Sequence, residues 1–151
     1  MSTYQAFQEA LRATGRYETA AASRPAAALR ISPVNSFRYA STIVGIVSRC
    51  AFSHLVRAFD YDAWARICMA SVAFAEKLGG VVTFDGFEQR AAHDGPVVYV
   101  SNHMSTLETM VFPTTLLSFG PLAIVLKKSL TEIPLVGPAA PHVGCIPVTR
   151  K

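Results

Sequence analysis

The sequence predicts an α/β fold in which two amphipathic helices precede a partial strand–helix–strand unit. Three observations predict it. Apolar residues recur at three- and four-residue steps through residues 37–78. After Gly79-Gly80 the pattern changes to short apolar runs at 81–84, 96–100, 122–126 and 143–148. A helical stretch begins near Ser105, between the second and third runs. Alternation of this kind marks strands covered by a connecting helix.

Bulk properties narrow the function classes. A chain of 151 residues can enclose one sizeable core. A hydrophobic fraction of 51% with 16% charged residues excludes a disordered chain. The low charge and a mean hydropathy of +0.32 imply a surface that meets membrane, a partner or further parts of its own fold. Net charge is +4, yet the arginines are scattered from Arg12 to Arg90. Adjacent basic pairs occur at Lys127-Lys128 and Arg150-Lys151. This spread excludes a nucleic-acid stripe and favours attraction to anionic lipid or a phosphorylated substrate. Cys50, Cys68 and Cys145 sit in apolar surroundings without paired spacing, as free thiols do in a reducing compartment. Cys50 with His54, and His142 with Cys145, are isolated pairs with no second half, so no metal motif emerges.

Residues 1–36 read as a leader, flexible or partly helical. Its opening lacks the basic-then-apolar order of a secretory signal. Its 19–30 stretch is loosely like a transit peptide, although Glu9 and Glu18 weigh against one. Pro33 and Asn35 mark a turn at its end.

Residues 37–80 carry the two helices. In the first, Phe37, Ala40, Val44, Val47, Ala51 and Leu55 share a face, and Arg38, Arg49 and Arg57 fall well away from it. In the second, Ala63, Ile67, Ala70, Phe74 and Leu78 share a side, and Gly79-Gly80 supplies the stop. Neither has the roughly 18 uninterrupted apolar residues of a membrane span. Both a membrane-interfacial placement and packing on the domain core fit this pattern.

Residues 81–151 hold the strand-forming runs. The run at 81–84 leads into the turn Asp85-Gly86. Residues 109–126 contain no charge, but Pro113 and Gly120-Pro121 argue against one continuous span. A buried helix followed by a buried strand fits better.

Chemistry concentrates at Asn102-His103-Met104-Ser105-Thr106-Leu107-Glu108. An apolar run ends here, where ligands of α/β folds usually sit. Residues five apart on a helix point about 140° away from each other. His103 therefore pairs with Glu108 only from outside the helix. Ser105-Thr106-Leu107-Glu108 matches a capping box, with Ser105 as N-cap and Glu108 at the third helical position. His103 then precedes the cap in non-helical backbone. The helix N-terminus opposes a protonated imidazole there and Glu108 favours one, and together they can leave a neutral, oriented base. The same residues also satisfy a helix cap with no chemistry at all.

Asn102-His103 with Glu108 resembles the first motif of the glycerolipid acyltransferase family, which includes the lysophosphatidic acid acyltransferases. That motif is a His, four residues and an acid, usually Asp, commonly with Asn before the His. The run from Gly95 to Ser101 resembles the family's lead-in strand. Lys127-Lys128-Ser129-Leu130 with Ile133-Pro134-Leu135-Val136-Gly137 resembles its second block. Gly144-Cys145-Ile146-Pro147-Val148-Thr149-Arg150 resembles the strand that ends in a substrate-binding arginine.

The resemblance implies acyl transfer from acyl-CoA or acyl carrier protein, as co-substrate, to a lysophospholipid or glycerol-phosphate-type hydroxyl. It implies no bound cofactor and no metal. His103 becomes the general base and Glu108 its orienting acid. Arg150, Lys128, Asn102 and Ser105 become candidate substrate-binding residues. A membrane-associated protein on the cytoplasmic face is expected. The sequence departs from the pattern in carrying Glu108 for Asp. It also shows no Phe-Pro-Glu-Gly block, so 81–151 is expected to be the N-terminal part of an acyltransferase domain. The alternative is a non-catalytic, membrane-associated binding fragment. A serine hydrolase is disfavoured by the lack of a Gly-x-Ser-x-Gly elbow, and a nucleotide fold by the lack of a glycine-rich phosphate loop.

Overall fold

A computed structural model describes residues 3–20, 32–134 and 137–149. Helix α1 (Thr3–Thr14) falls within the stretch read as a leader, and it packs. Its Tyr4, Phe7 and Leu11, three and four residues apart, are all buried. Gly15 then turns the chain at φ 67. A Cβ there would lie 2.3 Å from the Glu88 amide nitrogen, so only glycine admits this approach. Strand β1 (Tyr17–Glu18) pairs antiparallel with β2 (Thr83–Phe84), with Tyr17 opposite Phe84. Phe7 meets both of those rings edge-on, with centroids 4.7 and 5.4 Å away.

Helix α2 (Pro33–Leu55) starts where Ser32 accepts the Asn35 N–H and Pro33 occupies the first turn. Helix α3 (Tyr61–Lys77) starts at Asp60, whose carboxylate accepts the Ala63 N–H at 2.7 Å. Both helices end in a left-handed cap. After α3, Gly79 (φ 90) donates to Glu76 O and Gly80 to Ala75 O. After α2, Arg57 (φ 58) donates to His54 O and Ala58 to Ser53 O.

The face of α2 differs from the expected one. Ile46 is its buried residue, while Phe37 is 74% and Leu55 77% exposed. Ile46 lies nine residues from each, which is half a turn out of phase on a helix. Because α2 is apolar on both sides, periodicity alone cannot select the side that packs. The packed side brings Tyr39 against Phe74 of α3, with ring centroids 6.2 Å apart.

The runs read as strands are only partly strands. Residues 122–126 and 143–148 yield β3 (Val125–Lys127) and β4 (Ile146–Val148), paired in parallel with Val125 opposite Ile146. Residues 96–100 form no strand and are exposed. Val98 and Val100 are each 91% exposed. The expected strand–helix–strand unit is therefore an extended segment, a helix and a strand. Among the described residues the ladders are two separate two-stranded pairs. An apolar run becomes a strand only where a neighbour takes up its N–H and C=O groups, and 96–100 has none among the described residues.

Between them lies α4 (Glu88–Ala91), then α5 (Thr106–Leu116), which continues as a 3-10 turn, Leu117–Phe119, and stops at Gly120. Pro113 sits inside α5 and is buried, and the break in the uncharged stretch falls at Gly120. The Thr114 hydroxyl donates to Ala65 O at 2.9 Å and ties α5 to α3. Helix α3 is the centre of the molecule. The main core joins Tyr4, Phe7 and Leu11 to Ala65, Met69, Val72, Leu117 and Leu122. A second cluster gathers Phe59, Ala139 and Val143 beneath the 3-10 segment Gly137–Val143. Among the described residues, no helix is long and apolar enough to cross a membrane.

Candidate active site

Ser105 has extended backbone and Thr106 opens α5, so the helix begins where the capping box requires. The Ser105 hydroxyl accepts the Leu107 N–H at 3.1 Å. The Glu108 carboxylate returns over the first turn. It accepts the Met104 N–H at 2.9 Å, the Ser105 N–H at 2.8 Å and the Ser105 hydroxyl. Backbone groups left unpaired at the helix start are thereby satisfied.

The Ser105 hydroxyl bond, with the amides of Glu108 itself and Met104, lowers the Glu108 pKa from 4.5 to about 2. Each of these donors favours the carboxylate over the acid. Glu108 is thus a fixed negative charge above acidic pH.

His103 stands outside the helix, as the pairing geometry demands. Its Nδ1 lies 3.9 Å from Glu108 Oε2. That is an ion-pair separation rather than a hydrogen bond. A carboxylate has about four acceptor positions. The cap engages both oxygens: Oε1 accepts the Met104 N–H, and Oε2, the oxygen nearer the imidazole, accepts the Ser105 N–H and hydroxyl. The His103 ring is 70% exposed, so it stands open to a ligand.

The structure brings together His103, Ser105 and Glu108, with Asn102 exposed beside them. It does not bring Lys128 into this group. Lys127 ends β3 and Lys128 begins a 3-10 turn (Lys128–Glu132), both exposed. Arg150 lies outside the described residues. The thiols are free, and burial pushes Cys50 up to about 11 and raises Cys68 and Cys145 as well. Protonated thiols are weak nucleophiles.

One organising residue had no mark in the sequence beyond being an arginine. Arg90, on α4, donates to the Tyr99 hydroxyl at 2.7 Å, to Phe119 O at 2.9 Å and to His93 O. Its guanidinium also lies over the Phe119 ring, 5.4 Å from the centroid. It therefore fastens the segment that leads to His103 onto the far end of α5. Arg90 does not touch His103 and acts as a positioning residue.

Residues 81–151 match the family model described as acyltransferase. The chain is also similar to the chloroplastic 1-acyl-sn-glycerol-3-phosphate acyltransferase LPAT1 of Arabidopsis thaliana, 36% identical over 70 residues. That alignment takes in 46% of this chain and 18% of the relative, so the chain spans less than a fifth of the relative's length. No solved structure matches significantly.

Proposed function

We propose that this chain serves O-acyl transfer, because residues 81–151 match the acyltransferase family model and resemble a 1-acyl-sn-glycerol-3-phosphate acyltransferase. The donor is acyl-CoA or acyl carrier protein, and the acceptor is the hydroxyl of a lysophospholipid or glycerol-phosphate-type molecule. One observation carries the reading: His103 stands outside α5 with Nδ1 facing Glu108 at 3.9 Å. This orientation leaves Nε2 free to take the acceptor's hydroxyl proton. The oxygen attacks the thioester carbonyl and forms the new C–O bond. The C–S bond breaks, and the thiolate takes its proton from the imidazolium. No acyl-enzyme is needed. Shortening the His103–Glu108 separation by roughly 1 Å creates a hydrogen bond that stabilises the imidazolium. Asn102, Lys128 and Arg150 are the proposed acceptor contacts.

The proposed location is a membrane surface on the reducing, cytoplasmic side. The outward face of α2 supports it. Val34, Phe37, Val44, Phe52 and Leu55 are all exposed there, and no charged residue interrupts them. Arg38 and Arg49 flank this stripe, as in helices that lie in a lipid interface.

Acyl transfer from an acyl-CoA to lysophosphatidic acid tests the chemistry. His103→Ala is expected to lower the rate about 10²–10⁴-fold. Glu108→Gln keeps a capping box and removes the charge, so it is expected to lose rate without loss of helix. Undiminished turnover in His103→Ala would remove the base assignment. For the surface, the double variant Phe37→Asp, Val44→Asp is expected to abolish flotation with vesicles. Unchanged flotation would place the lipid contact elsewhere.

A further inference from the structure

Two residue pairs that stand apart in the sequence meet in the fold. Cys50 and His54 lie one turn apart on α2, and His142 and Cys145 lie at the end of the 3-10 segment Gly137–Val143 and just beyond it. The His54 and His142 rings touch edge to face, with centroids 4.7 Å apart. Cys50 and Cys145 pack on the same Phe59, Ala139 and Val143 cluster. The two rings, with Leu55, Arg57 and Phe59, line a cavity of about 360 Å³. His54 Nδ1 is buried and has no hydrogen-bond partner among the described residues. Native structures relieve such a group with ordered water or a bound ligand.

The lining decides the sign of the ligand. It carries one guanidinium and two imidazoles and no carboxylate. No group of three His, Cys, Asp or Glu among the described residues is placed to hold a metal, and Arg57 would repel one. Arg57 also occupies the left-handed position (φ 58) that α3 gives to Gly79. A side chain is strained at such a position. Here it aims a cation at the cavity from the very end of α2.

We propose that this cavity binds a phosphate group. Arg57 offers its planar fork of donors, and His54 and His142 each offer an imidazole N–H. None of these residues belongs to the His103–Glu108 arrangement. A lipid headgroup and a soluble phosphate ester share the required chemistry. Leu55 belongs both to the cavity lining and to the outward face of α2. That continuity favours a headgroup, a preference that rests on the membrane reading of α2. Phosphate binding itself does not rest on it.

The test uses the full chain in two arms. In the first, isothermal titration with inorganic phosphate and glycerol 3-phosphate compares wild type with Arg57→Asn and His142→Gln. Asparagine tolerates the left-handed backbone, so Arg57→Asn removes charge without unfolding the turn. Saturable binding in wild type, weakened about tenfold or more in both variants, is expected. In the second arm, flotation with phosphatidylcholine vesicles is compared with and without phosphatidic acid. A phosphatidic-acid increment lost in Arg57→Asn identifies the lipid headgroup. Phosphate binding without that increment identifies a soluble ester. No saturable phosphate binding and no increment, or binding unchanged in both variants, overturns the site. Failure of the membrane reading looks different, because wild type then floats with neither vesicle while phosphate still titrates.

Discussion

Phe7, Leu11, Ala65 and Val72, all in the first half of the chain, are shut away from solvent, while Val98 and Val100, which lead to His103, are almost wholly exposed. The first group belongs to helices, whose backbone bonds are made within each segment and whose apolar stripes need only one partner face. The second belongs to an extended segment, which acquires no ladder until another strand lies beside it. Yet the His103–Glu108 arrangement stands in the second region. Its geometry depends on six consecutive residues and the cap they form, not on burial. The difference teaches that the position of the candidate base is fixed locally, while its shielding from water is a property of longer range.

Core substitution gives the sharpest break between the regions. Phe7 is 0% exposed and wedged between Tyr17 and Phe84. Phe7→Ala is expected to cost about 3–5 kcal/mol, enough to unfold a marginal domain. Val98→Ser is expected to stay within about 0.5 kcal/mol. Urea midpoints measure both. A comparable loss for Val98→Ser would mean that 96–100 is covered in solution, and the contrast would collapse.

The helix ends give the next effect. Gly79 and Arg57 hold equivalent left-handed caps with opposite residue choices. Gly79→Ala is expected to destabilise by about 1–2 kcal/mol. Arg57→Gly is expected to stabilise by about 0.5–1 kcal/mol while removing a charge from the His54–His142 cavity. Thermal midpoints moving in opposite directions would show that the chain retains Arg57 at a stability cost. A loss of stability in Arg57→Gly would mean that the guanidinium contributes to folding.

The two ends also show what the sequence disclosed. Gly79-Gly80 was readable as a stop because glycine is the usual residue in that backbone. Arg57 was not, because nothing in an arginine announces a positive φ. The capping box of Ser105 and Glu108 was readable for the same reason as Gly79, since both depend on adjacent residues alone. What stayed hidden depended on distant partners. The packing side of α2 was ambiguous because Ile46 and Phe37 sit on opposite apolar faces, and only α3 chooses between them. Strand β1 is two residues long, too short for any alternation, and exists because β2 is beside it. Arg90 shows the same limit within the site, since Tyr99 and Phe119 are nine and 29 residues away from it.

The smallest effect probes the cap that positions the candidate base. The Glu108 pKa falls from its ordinary 4.5 to about 2 because Ser105 and nearby backbone amides hold the carboxylate. A lowered folded value means that ionised Glu108 favours the folded cap at any pH above 4.5. That contribution fades as pH falls from 4.5 and is gone below about 2. The Met104 and Ser105 amide resonances are therefore expected to titrate with a midpoint near 2, and Glu108→Gln is expected to flatten them. Because Glu108 lies near the surface, the main core around Phe7 should not respond over the same range. A midpoint near 4.5 would mean that the carboxylate is not held by these amides, and His103 would then lack the fixed charge that sets its orientation.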